Sequence, residues 1–467
     1  MNTDDKNRPN ILFIMSDDHA AHAMSCYGSK INKTPNLDKI AENGMRFDNC
    51  FCTNSICTPS RANILTGQYS HMNGVKTLAD GFDGRKSHVA KILKNSGYQT
   101  SIVGKWHLGH GGNYDPTGFD YWNIFYDQGE YHNPEMIEMG KNKQYDGYAT
   151  DLVTDLSLEW LEERDKDKPF FLMCHHKAPH RNWEPDDKHA HMYADIEIPE
   201  PITFQDDYST RSRAAKEAAM RIENDLHFYD LKVEPPANLN EKELKSWKYQ
   251  RFIKDYLRCV ASIDDNVGKL IDYLQKEGIE DNTIVIYTSD QGFFLGDHGW
   301  YDKRFMYEES LRMPFLVQYP KKIRKNSVQK NMALNVDFAP TFLEYANLEV
   351  PVEMQGNSLM PLFEEEVPVG WQTSMYYRYW EHLSEPHRVG AHFGLRTDRY
   401  KLIHYYGEAL GSSGAINVSK EPEWELFDLE VDPGELNNIY NNPNNIELTK
   451  ELKRELYSLK EKVGDFE

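Results

Sequence analysis

Cysteine is scarce and scattered. The 467 residues hold six, Cys26, Cys50, Cys52, Cys57, Cys174 and Cys259, with no Cys-x-x-Cys pair among them. That spacing argues against a disulfide-stapled scaffold and against a cysteine-built zinc module. No stretch approaches the roughly 20 apolar residues of a membrane-spanning helix. Basic residues are also short: the net charge of −21 leaves no broad basic face for nucleic acid, and an anionic substrate would need a locally basic site. Internal repeats and low-complexity tracts are missing. The opening "MNTDDKNRPN" is polar, shows no signal peptide and reads as a trimmed or engineered beginning.

What is present is globular. Apolar residues make up 39% and aromatic ones 12%, enough to fill a large core and a smaller second one. "NILFIMSDD" is an apolar run ending abruptly in acids, as in a strand covered on both faces. "TPNLDKIAENG", "KSHVAKILKNSG" and "ATDLVTDLSLEWLEER" read as helices, "YQTSIVG" and "PFFLMCHH" as strands. The stretch from Lys245 to Gly278 has apolar residues at helical spacing and leads into the strand-like "TIVIYTSD". This alternation predicts an α/β domain over 1–368, with a mainly parallel sheet between helices. Ligands of such sheets bind beyond the carboxyl ends of the strands. After Pro368 the texture changes to short strands with turns and a final helix, predicting a smaller antiparallel-sheet plus helix domain over 369–467. The polar, irregular segment 184–236 is expected to cap or border the site.

The chemistry-bearing residues fall at the predicted strand ends. Asp17 and Asp18 close the first strand, and Asp290 and Gln291 close a later one. Three carboxylates and an amide oxygen make a hard, oxygen-only set suited to Ca²⁺ or Mg²⁺, although each pair alone reads equally as caps and turns. Lys105 and His107 in "GKWHLGHGG" suit anion binding and proton transfer. "MCHHKAPHRNW" adds His175, His176 and His180, where general-acid duty fits better than zinc and at least one histidine is structural. Lys303, in "GFFLGDHGWYDKRFMYEES", follows a glycine-studded loop from which it could fold back over a cation. Cys57 in "SICTPSRANILTG" is open to several readings: packing, bridging, metal ligation or thiol attack.

The stretch "CTPSRANILTG" resembles the signature of the type I, formylglycine-dependent sulfatases, Cys-x-Pro-x-Arg followed by Thr-Gly. "NILFIMSDD", "GKWHLG", "APH", "TSDQG" and "ELFDLEVDPGELNN" resemble further sulfatase segments in the same order, so the resemblance spans nearly the whole chain. It implies an alkaline-phosphatase-like α/β sandwich with a small C-terminal sheet domain. It also implies that Cys57 is oxidised to Cα-formylglycine by a formylglycine-generating enzyme. The cation, Ca²⁺ or else Mg²⁺, would be held by Asp17, Asp18, Asp290, Gln291 and the matured residue 57. Gln291 is one methylene longer than the Asn often found in the family. Arg61, Lys105, His107, His180 and Lys303 would bind the sulfate and move protons, while His176 and His298 are the further candidates for touching the sugar.

The activity so implied is hydrolysis of sulfate esters on a sulfated polysaccharide or its oligosaccharides, of ulvan type or a glucosamine-6-sulfate glycosaminoglycan, by a periplasmic or secreted enzyme. Two other expectations compete. One is phosphonate or phosphodiester hydrolysis on the same fold. The other is a non-catalytic sulfated-glycan-binding protein, which has no need of the full catalytic set.

Overall fold

The computed structural model describes residues 8–467; most of the polar opening, residues 1–7, lies outside them. The strand Asn10–Ser16 is wholly buried, as its unbroken apolar run requires. It lies near the middle of a ten-stranded sheet, paired in parallel with Phe170–His175 on one side and Thr283–Ser289 on the other. Gln99–Gly104 and Tyr121–Phe125 continue the parallel core. The flanks are mixed: Phe315–Gln318 runs antiparallel to Thr283–Ser289, and Glu135–Glu138 and Lys141–Gln144 form an antiparallel edge.

Helices cover the sheet in two sets. Pro35–Glu42 and Ala149–Glu163 pack against the 36-residue helix Glu241–Lys276. That helix begins four residues before the predicted Lys245, because Asn240 and Glu243 cap each other's backbone N–H at 3.0 and 2.9 Å. The other set joins Cys57–Thr66, Val89–Asn95 and Phe338–Tyr345. Phe13 of the first strand meets Phe338 and Phe342 edge-on, with ring centroids 6.0 and 5.5 Å apart.

The C-terminal strands Ser374–Tyr379, His392–Thr397, Tyr400–Tyr405 and Glu423–Asp428 form an antiparallel sheet in sequential order. The helix Ile446–Lys462 packs against its first two strands. The fold is therefore the expected one: a large, mainly parallel α/β sheet with an additional small antiparallel sheet. No helix among the described residues is long and apolar enough to cross a membrane. The segment 184–236 holds only short helices, Arg213–Glu217, Ile222–Asp225 and Phe228–Leu231.

Candidate active site

Parallel register sets the first contact. Ser16 lies opposite Ser289, so the two chains leave the sheet side by side, as Asp17–Asp18 and Asp290–Gln291. Asp18 adopts a left-handed φ of 65°, which turns the chain, and its N–H donates to Asp290 Oδ1 at 3.2 Å. Carboxylate oxygens of Asp17, Asp18 and Asp290 come within 4.8 Å of one another.

The helix Cys57–Thr66 begins at Cys57. Residues four apart share a helix face, so Cys57 and Arg61 both look toward the acids. Cys57 Sγ lies 3.4 Å from Asp17 Oδ1. Arg61 Nε and Nη2 reach Asp290 Oδ2 at 3.0 and 2.9 Å, and Nη1 donates to the Lys105 carbonyl at 2.7 Å. Burial, reinforced by Asp17, pushes the Cys57 thiol up, the opposite of what a thiolate nucleophile needs.

Two lysines close on the acids. Gly104, at φ 101°, turns the chain where a Cβ would strike the His175 carbonyl. Lys105 then follows, and its Nζ meets Asp17 Oδ2 and Gln128 Oε1. Lys303 Nζ meets Asp18 Oδ1. Burial alone would lower Lys303, but Asp18, together with Asp302 and Asp17, outweighs burial and holds the ammonium well above its ordinary value. Asp17 is buried too, yet Lys105, His180 and Arg61 hold it well below the carboxylate range. Burial and the adjoining acids push Asp18 up to about 7 and Asp290 to about 6.

His180 completes the cluster. Its Nδ1 lies 2.6 Å from the Arg181 carbonyl, which assigns the proton there, and its Nε2 sits 3.8 Å from Asp18 Oδ2. His107 stands to one side. Its ring is held by Thr58 Oγ1 at 3.3 Å and Asp127 at 3.3 Å, and burial and Lys105 lower it to about 4.

The structure does not bring His176 and His298 to this site, contrary to their expected contact with the sugar. The His176 ring is fully buried beside Cys174, with Nε2 3.8 Å from its sulfur. Being next in line after a strand residue, it turns to the sheet's other side. His298 is also fully buried. It is fixed by Asp206 at 2.9 Å and packed against Trp300 and Tyr307.

A cavity of about 900 Å³ opens over the cluster, lined by Cys57, His180 and Lys303. Sequence reasoning missed several of its walls: Gln128, Lys177, Arg181, Asp302, Arg304, Glu381 and His387. Lys177, Arg181, Asp302 and Arg304 each sit within three residues of a chosen residue, a signal that neighbouring positions carried. Glu381 and His387, on the loop joining the first two C-terminal strands, had no such signal. Lys177 is buried over the Tyr131 ring, and burial and Lys105 lower it to about 8. Glu184 and Tyr229 also line the cavity, so the segment 184–236 borders it as expected.

The acids present a donor set for a hard cation. Asp18 Oδ2 and Gln291 Oε1 are buried oxygens that accept no hydrogen bond, and burying such acceptors unsatisfied is costly. Gln291 turns its other amide atom, Nε2, to Asp18 Oδ1.

Comparison with known proteins agrees with this geometry. The sulfatase family model matches residues 9–348, and the model for the C-terminal part of N-sulphoglucosamine sulphohydrolase matches 296–462. An N-acetylglucosamine-6-O-sulfatase of Bacteroides thetaiotaomicron is 43% identical, across 99% of this chain and 88% of that protein. An ulvan-active sulfatase of Formosa agariphila is 27% identical, across 99% of this chain and 83% of that protein. A solved structure in complex with its substrate D-glucosamine-2-N,6-O-disulfate superposes with a TM-score of 0.93 at 43% identity, covering 98% of this chain and 99% of that one. Fold and site thus define a sulfuric ester hydrolase. The chain belongs to the sulfatase family.

Proposed function

We propose that this enzyme removes the 6-sulfate ester from a glucosamine or N-acetylglucosamine residue of a sulfated glycan. The observation that carries this reading is the position of Cys57: it lines the cavity 3.4 Å from Asp17, beside the two acids that Lys105 and Lys303 hold. The similar proteins support the choice of sugar, since one is named for N-acetylglucosamine 6-sulfate and another holds a 6-sulfated glucosamine as substrate.

When present, a formylglycine at position 57 supplies a hydrated-aldehyde hydroxyl as nucleophile, and a divalent cation supplies positive charge beside it. Asp17, Asp18, Asp290, Gln291 and the matured residue 57 would hold the cation. Flexible oxygen ligands favour Ca²⁺ over Mg²⁺. The orphaned oxygens of Asp18 and Gln291 support that set. Three carboxylates against Arg61, Lys105 and Lys303 leave the cluster near neutrality without the cation, so the doubly charged ion makes it a seat for an anion.

Lys105 and Lys303 orient the sulfate oxygens. Arg61 fixes Asp290 and position 57 together. His180, its Nδ1–H held by the Arg181 carbonyl, turns Nε2 toward the cluster; when Nε2 also carries a proton, it gives that proton to the departing sugar oxygen and is left neutral. His107 serves position 57 from the far side through Thr58. A small domain over 369–467 would supply the Glu381–His387 part of the substrate wall, and a formylglycine-generating enzyme would mature Cys57. Export to the periplasm or outside belongs to the same reading.

The test is sulfate release from N-acetylglucosamine 6-sulfate by protein whose residue 57 is shown by mass spectrometry to be formylglycine. Mature protein that releases no sulfate overturns the reading. Faster turnover of the matching phosphate or phosphonate ester would move the assignment to phosphonate and phosphodiester hydrolysis.

A further inference from the structure

Beside the catalytic cavity lies a second one, of about 480 Å³, which shares Thr58 and His107 with the reaction but whose aromatic wall the reaction does not use. Leu78 and Ala79 line both cavities. A second wall is also continuous: Phe125, Tyr126 and Asp127 line the new cavity, and the following residues from Gln128 to His132 line the catalytic one. A sugar attached to one held over Cys57 therefore has an adjoining space to enter.

That space is aromatic and open. Tyr114 and Tyr126 are 46% and 49% exposed, and the His110 ring stands 4.4 Å from that of Tyr126. Tyr114 is clamped in place. A Cβ built on Gly81 would come within 2.6 Å of its ring, and one on Gly109 within 2.9 Å of its Cβ and 3.1 Å of the ring's Cγ, so the Gly81 backbone presses on the ring and that of Gly109 on its base. The loop beneath is tied down as well. Trp106 Nε1 donates to the Tyr114 carbonyl at 2.9 Å, and Gly84 N donates to that of Asn113 at 2.7 Å. A ring already immobilised loses little further entropy when a ligand settles on it.

The charges here differ from those in the catalytic cavity. Lys177, Arg181, Lys303 and Arg304 line that one. Among the described residues, neither lysine nor arginine lines the second, whose walls carry the carboxylates of Asp80 and Asp127 and the imidazoles of His107 and His110. Asp80 is occupied by the backbone N–H groups of Lys76 and Thr77 at 2.9 and 3.0 Å. Asp127 leans on His107 but keeps 67% of its side chain exposed. A carboxylate or sulfate placed here would face Asp80 and Asp127, and the nearest bases are already engaged, Lys105 with Asp17 and Arg85 with Asp83, while the hydroxyls of a neutral sugar would find Asp127 and His110 as partners.

We propose that this second cavity is a subsite for the sugar next to the sulfated one, and that it selects an uncharged hexose over a uronate. The proposal rests on the reading of the enzyme as a sulfatase of hexosamine 6-sulfates. Three probes test it by kcat/KM: N-acetylglucosamine 6-sulfate alone, joined to galactose, and joined to glucuronate. Stacking on fixed aromatic rings should raise the galactose disaccharide about tenfold above the monosaccharide, with no gain for the glucuronate one. Replacing both rings, Tyr114→Ala with Tyr126→Ala, should abolish the gain, and Tyr114→Phe should keep it, because the ring and not the hydroxyl makes the contact. Thermal melting checks that each variant folds; if the double variant does not, Tyr126→Ala alone carries the test, its ring being half exposed. Equal rates for monosaccharide and galactose disaccharide, an equal gain with glucuronate, or a gain that survives loss of the rings overturns the subsite while leaving the activity standing. No turnover of any probe by mature enzyme overturns both.

Discussion

Arg61 and Arg378 are both buried and both face aspartates, yet their surroundings differ. Arg378 Nη1 reaches both oxygens of Asp465, at 2.6 and 2.7 Å, and the Tyr376 hydroxyl donates to the same carboxylate. The rings of Trp380 and Tyr406 lie 4.8 and 5.2 Å from the guanidinium. Every oxygen of that aspartate has a donor. Around Arg61 the accounting stays open: three carboxylates crowd together, and buried oxygens of Asp18 and Gln291 have no donor. A carboxylate with all its donors ties the last residues to the C-terminal sheet, even though Arg378 Nε is left without a partner, whereas a cluster with orphaned carboxylate and amide oxygens is poised to take up further charge.

The contrast can be broken from either side. The largest effect should come from Cys57→Ala, which removes the side chain proposed to be matured: sulfate release should fall by about 10⁴-fold or more, read as initial rate. Arg378→Ala should be the largest purely structural loss, about 3–5 kcal/mol for an uncompensated buried partner. A denaturant midpoint measures it, while kcat/KM in the cold, where the variant is still folded, should stay within about twofold of the parent. Lys303→Ala should lower kcat/KM by about 10²–10³-fold, the scale of one lost charge-stabilising donor. Chelation sharpens the same point. Stripping divalent ions should lower both the melting temperature and the activity, and calcium should restore both, since a ligand bound only to the folded state stabilises it; a melting temperature indifferent to chelator would show the acids to be closed as well.

The smallest effect concerns pH. Burial lowers His176, His387, His392 and His404 to about 4 and His88 to about 3. A histidine whose folded value is depressed contributes stability that is present above its unfolded value near 6.5 and is lost as pH falls toward the folded one. Asp264 and Asp337 act oppositely. Burial raises them to about 6 and about 7, so their contribution is lost as pH rises from about 4 to 7. With the histidines more numerous, the melting temperature should fall between pH 6.5 and 4, and a rise over that interval would contradict the assignment.

Much of this was legible in the chain. Unbroken apolar runs marked strands covered on both faces, and the acids ending them marked the edge where the site forms. The antiparallel edge at 135–144 was not, because its last strand is fully exposed and has no apolar pattern to read. The motifs located Asp17, Asp18, Cys57, Arg61, Lys105, His180, Asp290 and Lys303, and folding gathers all eight. The same reasoning overreached at His176 and His298, because a residue type near a motif says nothing about which way its side chain turns.

The sequence by itself determined the alternation of strand and helix, the residue types at the strand ends and the Cys-x-Pro-x-Arg spacing at Cys57, since each is a local pattern of polarity and spacing. Only the tertiary structure decided which charges meet. The parallel register of two strands some 270 residues apart in sequence brings Asp17 to Asp290. A loop of the distant C-terminal sheet carries Glu381 and His387 into the cavity wall. Two glycine backbones turn Tyr114 into a fixed platform beside it. Distances of that kind arise from packing, which couples residues that the linear chain keeps far apart.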